Sequence, residues 1–421
     1  MGREVGGAPR SRESMSALQP GAGAGAMKPV QALPARLERF LCLDDFELAA
    51  RRHLPKPIFA YIAGAAERNR SFRANRESFE QWDFIPRALV DISKRSTEAT
   101  LFGRRYAAPF GLAPMGISAL SAYRGDIVLA SAAARANVPA IMSGSSLIRL
   151  EEVIKVNPQA WFQAYLPGDD ISIQALLQRV QAAGYGTLVI TVDTPIAANR
   201  ENNVRAGFST PLRPTVALAW EGITHPSWLF GTFLRTLWRH GMPHFENNYA
   251  TRGAPILSPT VERDFSDRGH LTWQHFSRIR TTWQGNLVVK GILDSRDAVI
   301  ARNEGADGII VSNHGGRQLD GAVAPLRVLE AILSACPQIP VMLDSGVRRG
   351  SDVLKALALG AKFVFVGRPF GFAAAVGGEA GVERAIRLLE LEVSRNMALL
   401  GISQLGELDT SYLIRNYPPA A

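Results

Sequence analysis

From residue 106 onward one hydrophobic–polar pattern repeats. A short apolar run is followed by a Gly-rich or polar turn, and then by a stretch with helical periodicity. The apolar runs are 109–114, 139–143, 160–165, 187–192, 286–291, 308–312, 340–344 and 363–367. Helical spacing occupies 126–136, 171–183, 295–304, 325–335 and 351–359. Eight strands alternating with helices predict an α/β fold, a (β/α)8 TIM barrel. The competing arrangement, a doubly wound open sheet, lacks a GxGxxG after the first strand.

Two segments break the repeat. Residues 37–105 are expected to form an N-terminal helical extension with a small hairpin that closes the bottom of the barrel. Residues 205–280 form a long insertion after strand 4. The expected organisation is therefore a disordered extension over 1–36, a barrel unit over 37–410 and a tail over 411–421. Residues 1–26 are rich in Gly, Ala and Arg and have no apolar core of the kind a secretory signal needs. No run of about 18 apolar residues marks a membrane-spanning helix.

Composition refines this picture. Over 421 residues the hydrophobic share is 47%, enough for a large core, and the net charge is +9. The arginines are dispersed, without a dense basic run or interleaved aromatics, so nucleic acid is not expected as a partner. The two cysteines, Cys42 and Cys336, are far apart, which supports neither a disulfide framework nor a zinc site. A reducing, cytoplasmic setting fits.

In a barrel of this kind the chemistry sits at the C-terminal strand ends, and here those ends are polar. They carry Pro114-Met115-Gly116, Ser145, Gln163 with Tyr165, Thr191 with Asp193, Lys290, Ser312 with His314, Asp344 with Gly346 and Arg348, and Gly367-Arg368. The segment Ser312-Asn-His314-Gly-Gly-Arg317-Gln318 is the most telling. It aims an acid/base and a cation at one small volume, and its glycines let a bulky group approach the backbone. A base beside a fixed positive charge suits proton removal next to a carboxylate.

These motifs, with Tyr61–Glu67, Leu343–Gly350 and Val366–Pro369, resemble the FMN-dependent α-hydroxy-acid dehydrogenase/oxidase family over about residues 37–410. The family includes glycolate oxidase and membrane-associated L-lactate and L-mandelate dehydrogenases. The resemblance implies oxidation of an L-2-hydroxy acid, L-lactate or L-mandelate, to the 2-keto acid. Electrons would pass to a membrane quinone; the alternative is a soluble oxidase or monooxygenase using O2. It implies FMN as cofactor and a homotetramer.

It also implies roles for individual residues. His314 is the base and Asp193 its partner, with Tyr165 at the reacting centre. Arg317 and Arg200 hold the substrate carboxylate, helped by Tyr61 and Tyr165. FMN would be held by Pro114, Met115, Gly116, Ser145, Gln163, Thr191, Lys290, Ser312, Asp344, Ser345, Gly346, Arg348, Gly367 and Arg368. Lys290 suits the side of the flavin where negative charge develops. Ser345 stands where many members have glycine, and little consequence is expected. No metal is implied. Gly116 stands where oxidases of the family tend to carry alanine. Leu147 and parts of 205–215 are expected to line the pocket for the substrate side chain.

The insertion has its own signature. Trp220, Trp228 and Trp238 lie within 213–243, with arginines and large apolar residues mixed at helical spacing over 227–239. That composition suits a helix lying in a membrane interface, and the resemblance implies the same. The enzyme would then be peripheral on the inner face of the cell membrane. A packed lid or a subunit contact is the competing use.

Overall fold

Eight parallel strands form the central sheet: β1 Phe110–Leu112, β2 Ile141–Ser143, β3 Trp161–Ala164, β4 Thr187–Thr191, β5 Asn286–Ile292, β6 Gly308–Val311, β7 Val341–Asp344 and β8 Val364–Val366. Each pairs with its sequence neighbours, and β8 returns to β1. A bridge between Leu112 and Ala140 joins β1 to β2 and closes the TIM barrel. A computed structural model gives this architecture and describes residues 34–209, 212–213, 215–258 and 268–416. All eight expected strands are present. Helices at Gly125–Arg135, Asp170–Ala182, Ser295–Asn303, Pro325–Ala335 and Gly350–Ala358 occupy the expected helical stretches.

The alternation along each strand divides the core in two. One set, including Ile141, Trp161, Val189, Val288, Ile310, Met342 and Phe365, packs together as its own cluster with Leu101 and Tyr106. Those two belong to the antiparallel pair Ala99–Leu101 and Arg104–Tyr106, the expected hairpin. Phe102 at its tip meets the Trp161 ring at 5.5 Å. A Cβ at Gly308 would lie 2.9 Å from Phe102, so the hairpin needs glycine there. The other strand faces pack against the helices in the larger cluster. Burial of these apolar faces on both sides of the sheet is the main force that holds the barrel.

The ends of the unit differ from expectation. Most of the 1–36 extension lies outside the described residues, but Ala35–Leu37 is a helical turn whose Leu37 is buried. Leu413–Arg415, expected within a tail, is a strand that pairs antiparallel with Trp82–Phe84. Residues 413–415 thus fasten the chain end to the extension. The last helix, Arg368–Leu400, breaks at Gly378, where φ is +58°. The insertion also ends earlier than expected, because Trp273–Thr282 is the regular helix leading into β5.

Within the insertion, helix Val216–Thr224 is followed by a continuous helical run from Pro226 to His240. This run is not uniformly turned to solvent. Trp228 is only 5% exposed; its indole N–H donates to the Leu120 carbonyl at 2.7 Å, and its ring stacks on Phe233. Trp220, Phe230 and Trp238 point outward, with Trp238 at 83% exposure. No helix among the described residues is long and apolar enough to cross a membrane.

Candidate active site

The loops at the C-terminal rim enclose a cavity of about 980 Å³. Its position follows from the parallel strands, which deliver their ends to one rim. Tyr61, Tyr165, Arg200, His314 and Arg317 line it, together with Pro114, Met115, Gly116, Ser145, Lys290, Asp344, Ser345, Gly346, Arg348, Gly367 and Arg368. The four remaining candidates, Gln163, Thr191, Asp193 and Ser312, are not on its surface. Asp193 and Ser312 support His314 and Lys290, which are; Gln163 and Thr191 lie buried at the ends of β3 and β4.

His314 sits just past β6 with φ +57°, a strained conformation for a residue with a Cβ. Its backbone N–H donates to the Ser312 hydroxyl at 3.0 Å. Nδ1 meets Asp193 Oδ1 at 3.0 Å, and Nε2 lies 3.4 Å from the Tyr165 hydroxyl. Burial pushes the imidazole pKa below its ordinary value; Asp193 opposes this, and Lys290 and Arg200 add to it. His314 is therefore neutral at neutral pH, and the carboxylate fixes Nδ1 as the protonated nitrogen. Nε2 is left as the acceptor facing the cavity.

Asp193 reaches this position because Gly291 makes room. A Cβ on Gly291, whose φ is +108°, would lie 2.7 Å from the Asp193 Cβ. Burial works against the Asp193 charge, but His314 and Lys290 outweigh it and hold the carboxyl below its usual range.

Lys290 is the buried cation of the site. Its ammonium donates to Ser312 Oγ at 2.9 Å and pairs with Asp344 Oδ2 at 3.0 Å. Burial disfavours the charge, yet Asp344 and Asp193 raise its pKa above the usual lysine value. Asp344 was expected among the residues that hold FMN. It lines the cavity but spends one oxygen on Lys290 and the other on the Ser345 hydroxyl at 2.8 Å. Ser345 has more consequence than expected. Its hydroxyl also accepts from the Gly315 N–H at 2.9 Å, tying the end of β7 to the His314 loop. Its φ of +79° explains why glycine suits the position.

The arginines divide into two groups. Arg317 Nη1 donates to the carbonyls of Tyr61 at 2.7 Å and Gly64 at 2.9 Å. Its guanidinium stacks 5.1 Å from the centre of the Tyr61 ring. Burial, then the neighbouring Arg200, bring its pKa down to about 10, so it stays charged. Arg200 donates to the Arg317 carbonyl at 3.1 Å and to Gln318 Oε1 at 2.6 Å. Two cations side by side in an enclosed space suit a carboxylate. On the other side, Arg348 is buried and Arg368 half-buried, and their pKa values fall, in each case first through desolvation. Gly367, with no Cβ, precedes Arg368 at the start of the long last helix. A helix start with two arginines after β7 and β8 suits a phosphate.

These residues fit FMN. Gln163 Nε2, Thr191 Oγ1 and Arg348 Nε are buried polar atoms without a hydrogen-bond partner among the described residues. Such atoms call for a polar ligand. Gly116 keeps the wall flat, since a Cβ would stand 3.1 Å from both the Ser145 Cβ and the Tyr61 hydroxyl.

Some contributors were missed from sequence. Gln318 lies inside the most telling motif, yet its role as a clamp emerges only here. Its amide donates to the Asp193 carbonyl at 3.1 Å while its oxygen accepts from Arg200. Arg268 lines the cavity with its guanidinium 4.7 Å from the centre of the Tyr165 ring. It lies in the irregular insertion, where no periodicity or motif marked it. Phe208, tilted on the Tyr61 ring at 4.7 Å, and Ser209 bear out part of the expected 205–215 lining. Leu147 does not line this cavity; it belongs to a smaller one nearby.

Comparison with known proteins agrees with the geometry. The family model for FMN-dependent dehydrogenases matches residues 50–415. The (S)-mandelate dehydrogenase of Pseudomonas putida is 34% identical over 372 residues, 88% of this chain and 93% of that protein. An L-lactate dehydrogenase of Pseudomonas paraeruginosa is 38% identical over 380 residues, 88% of this chain and 97% of that protein. A crystal structure of the monotopic membrane protein (S)-mandelate dehydrogenase superposes with a TM-score of 0.83, at 34% identity, covering 90% of this chain and all of that one. A mandelate oxidase variant with (S)-mandelic acid gives 0.74, also at 34% identity, over 90% of this chain and all of that one. The chain belongs to the FMN-dependent dehydrogenase family, and it is an FMN-dependent oxidoreductase.

Proposed function

We propose that this enzyme oxidises an L-2-hydroxy acid to the 2-keto acid and passes the electrons to a membrane quinone. The carrying observation is the convergence of His314, paired with Asp193, and of Arg317 and Arg200 on one cavity. Arg317 and Arg200 hold the substrate carboxylate. Tyr61 and Tyr165 bind and orient the hydroxy-acid oxygens. His314 Nε2 accepts the proton that the substrate gives up, and Asp193 stabilises the imidazolium so formed. Bound FMN supplies the two-electron acceptor, held by the strand-end residues named above.

The cavity lining also includes Ile58, Ile62, Ile196, Val204 and Phe208. An aryl side chain fits such a wall better than a methyl group, which favours L-mandelate over L-lactate. The outward aromatic residues of the insertion support peripheral attachment to a membrane, and the monotopic relative supports the same reading. A homotetramer is the proposed assembly. Similarity to mandelate oxidase favours the second reading, a soluble enzyme that reduces O2.

The test is the visible spectrum of the purified flavoprotein with L-mandelate or L-lactate added anaerobically, followed by air. Bleaching that persists in air supports a dehydrogenase with a non-oxygen acceptor. Reversal within seconds supports the oxidase, and no bleaching with any 2-hydroxy acid refutes both.

A further inference from the structure

Both tyrosines of the candidate site carry a guanidinium on one ring face. Arg317 lies 5.1 Å from the centre of the Tyr61 ring, and Arg268 lies 4.7 Å from that of Tyr165. The first pair is built into the barrel, since Arg317 follows β6. The second is not, because Arg268 comes from the end of the insertion.

Local structure fixes where Arg268 stands. Its carbonyl accepts from the Leu271 N–H at 3.2 Å, closing a tight turn. Thr272 then caps helix Trp273–Thr282, its N–H donating to His275 Nδ1 at 3.1 Å. Phe276 and Ile279 anchor that helix in the core. The turn thus presents Arg268 to the catalytic rim from a packed helix. There Arg268 is only 8% exposed and lines the main cavity.

Tyr165 gains from such a neighbour. It is the first residue past β3, and its hydroxyl meets His314 Nε2 at 3.4 Å, a long contact that restrains the ring weakly. A cation over the π face attracts the ring, more strongly where water is excluded. The same cation favours negative charge on the phenol oxygen. The O–H then donates more strongly to an oxygen that gains negative charge during reaction. Burial raises the Tyr165 pKa, with Lys290 and, less strongly, Arg268 opposing and Asp193 and Tyr61 adding. The hydroxyl therefore keeps its proton at neutral pH. Lys290 is already committed to Ser312 and Asp344; Arg268 instead stacks on the ring.

We propose that Arg268 is a positioning residue for the oxidation: stacked on Tyr165, it holds the ring and strengthens its hydroxyl as a donor to the substrate's 2-oxygen. The inference rests on the hydroxy-acid oxidation proposed above. It extends the catalytic rim to a residue of the insertion. Full rate thus requires the end of the insertion to be folded in place.

The test is a double-mutant cycle in the intact FMN enzyme. It is read by anaerobic stopped-flow reduction of the flavin with L-mandelate or L-lactate, whichever bleaches it faster. Arg268→Met keeps length without charge, and Arg268→Lys keeps the charge. Each is made with Tyr165 and with Tyr165→Phe. We expect Arg268→Met to lower the limiting rate of flavin reduction roughly tenfold, as for loss of a desolvated cation–π contact. The substrate Kd should change less than about twofold, because the hydroxyl matters most as charge develops. Arg268→Lys should recover most of the rate. In the Tyr165→Phe background, Arg268→Met should cost less than about twofold, because the hydroxyl it serves is gone.

An undiminished rate in Arg268→Met overturns the proposal. So does an equal loss with and without the Tyr165 hydroxyl, which a merely structural arginine would give. A loss confined to Kd would place Arg268 in substrate binding and overturn it too. Should Arg268→Met fail to retain FMN, Arg268→Gln takes its place in the same cycle. If no 2-hydroxy acid bleaches the unmodified enzyme, the function proposed above falls, and this inference with it.

Discussion

Asp193, just past β4, grips Nδ1 of His314, just past β6, at 3.0 Å. The two residues are far apart in sequence and meet because β5 lies between their strands and Gly291 yields space. This contact decides which imidazole nitrogen faces the cavity. His314→Ala should abolish substrate-driven flavin bleaching while the protein keeps its yellow colour. Asp193→Asn should slow bleaching by about 10²–10⁴-fold, the usual worth of a positioned base. Stopped-flow absorbance would measure both, and normal bleaching in His314→Ala would remove the base assignment.

The same histidine sets a pH dependence. Its pKa lies below the ordinary 6.5, and a base works only when unprotonated. kcat/KM should therefore rise with pH and level off below pH 6.5. An unfolded histidine takes up its proton near 6.5, and the folded one resists it. Stability should thus fall as pH drops through that value towards the folded pKa. A pH profile with its limb above 7 would contradict the neutral, buried His314.

Arg317→Lys should raise the KM for the hydroxy acid by about tenfold or more, because a point charge does not replace a planar fork. The lysine would also lose the bonds to the Tyr61 and Gly64 carbonyls, so kcat should fall as well. Steady-state kinetics with a dye acceptor would decide; unchanged KM counts against the carboxylate role.

Asp126 offers a stability test outside the catalytic cavity. This carboxyl is buried at the start of helix Gly125–Arg135, and burial raises its pKa to about 6, with Ser118 and Ser146 opposing. The unfolded carboxyl ionises near 3.8, so keeping the folded one charged costs about 3 kcal/mol above pH 6. Asp126→Asn should raise the melting temperature at pH 7.5 and flatten its decline between pH 4 and 6. A lower melting temperature at pH 7.5 would show that the charge is needed.

Gly116→Ala would place a methyl 3.1 Å from the Tyr61 hydroxyl. Displacing that hydroxyl by a few tenths of an ångström should weaken substrate binding severalfold with FMN still bound. Substrate titration of flavin absorbance measures this directly.

The barrel was legible because its strands are short apolar runs with turn residues at both ends, a pattern that survives without tertiary information. The site was legible because parallel strands bring their ends to one rim, so polar residues there converge wherever they lie in sequence. What was not legible came from irregular chain. Arg268 reaches Tyr165 from a segment without periodicity. The strand Leu413–Arg415 is only three residues long and gains its pairing from a distant partner. Trp228 and Trp238 look alike in sequence, yet one is buried and the other exposed. Ser345 shows its bonds only once β7 stands beside the His314 loop.

The inward-facing Trp228 constrains how the insertion could be lost over evolutionary time. Its indole is hydrogen-bonded to the carbonyl of Leu120, in the short helix Ser118–Ser121 that follows Gly116. Excising the helix would open the flank of the catalytic rim, whereas exchanging Trp220, Phe230 and Trp238 for polar residues would leave that flank intact. A lineage leaving the membrane for the cytosol would thus be expected to repaint the segment rather than delete it. Relatives with a polar but full-length insertion, still carrying the inward tryptophan, would be the trace of that route.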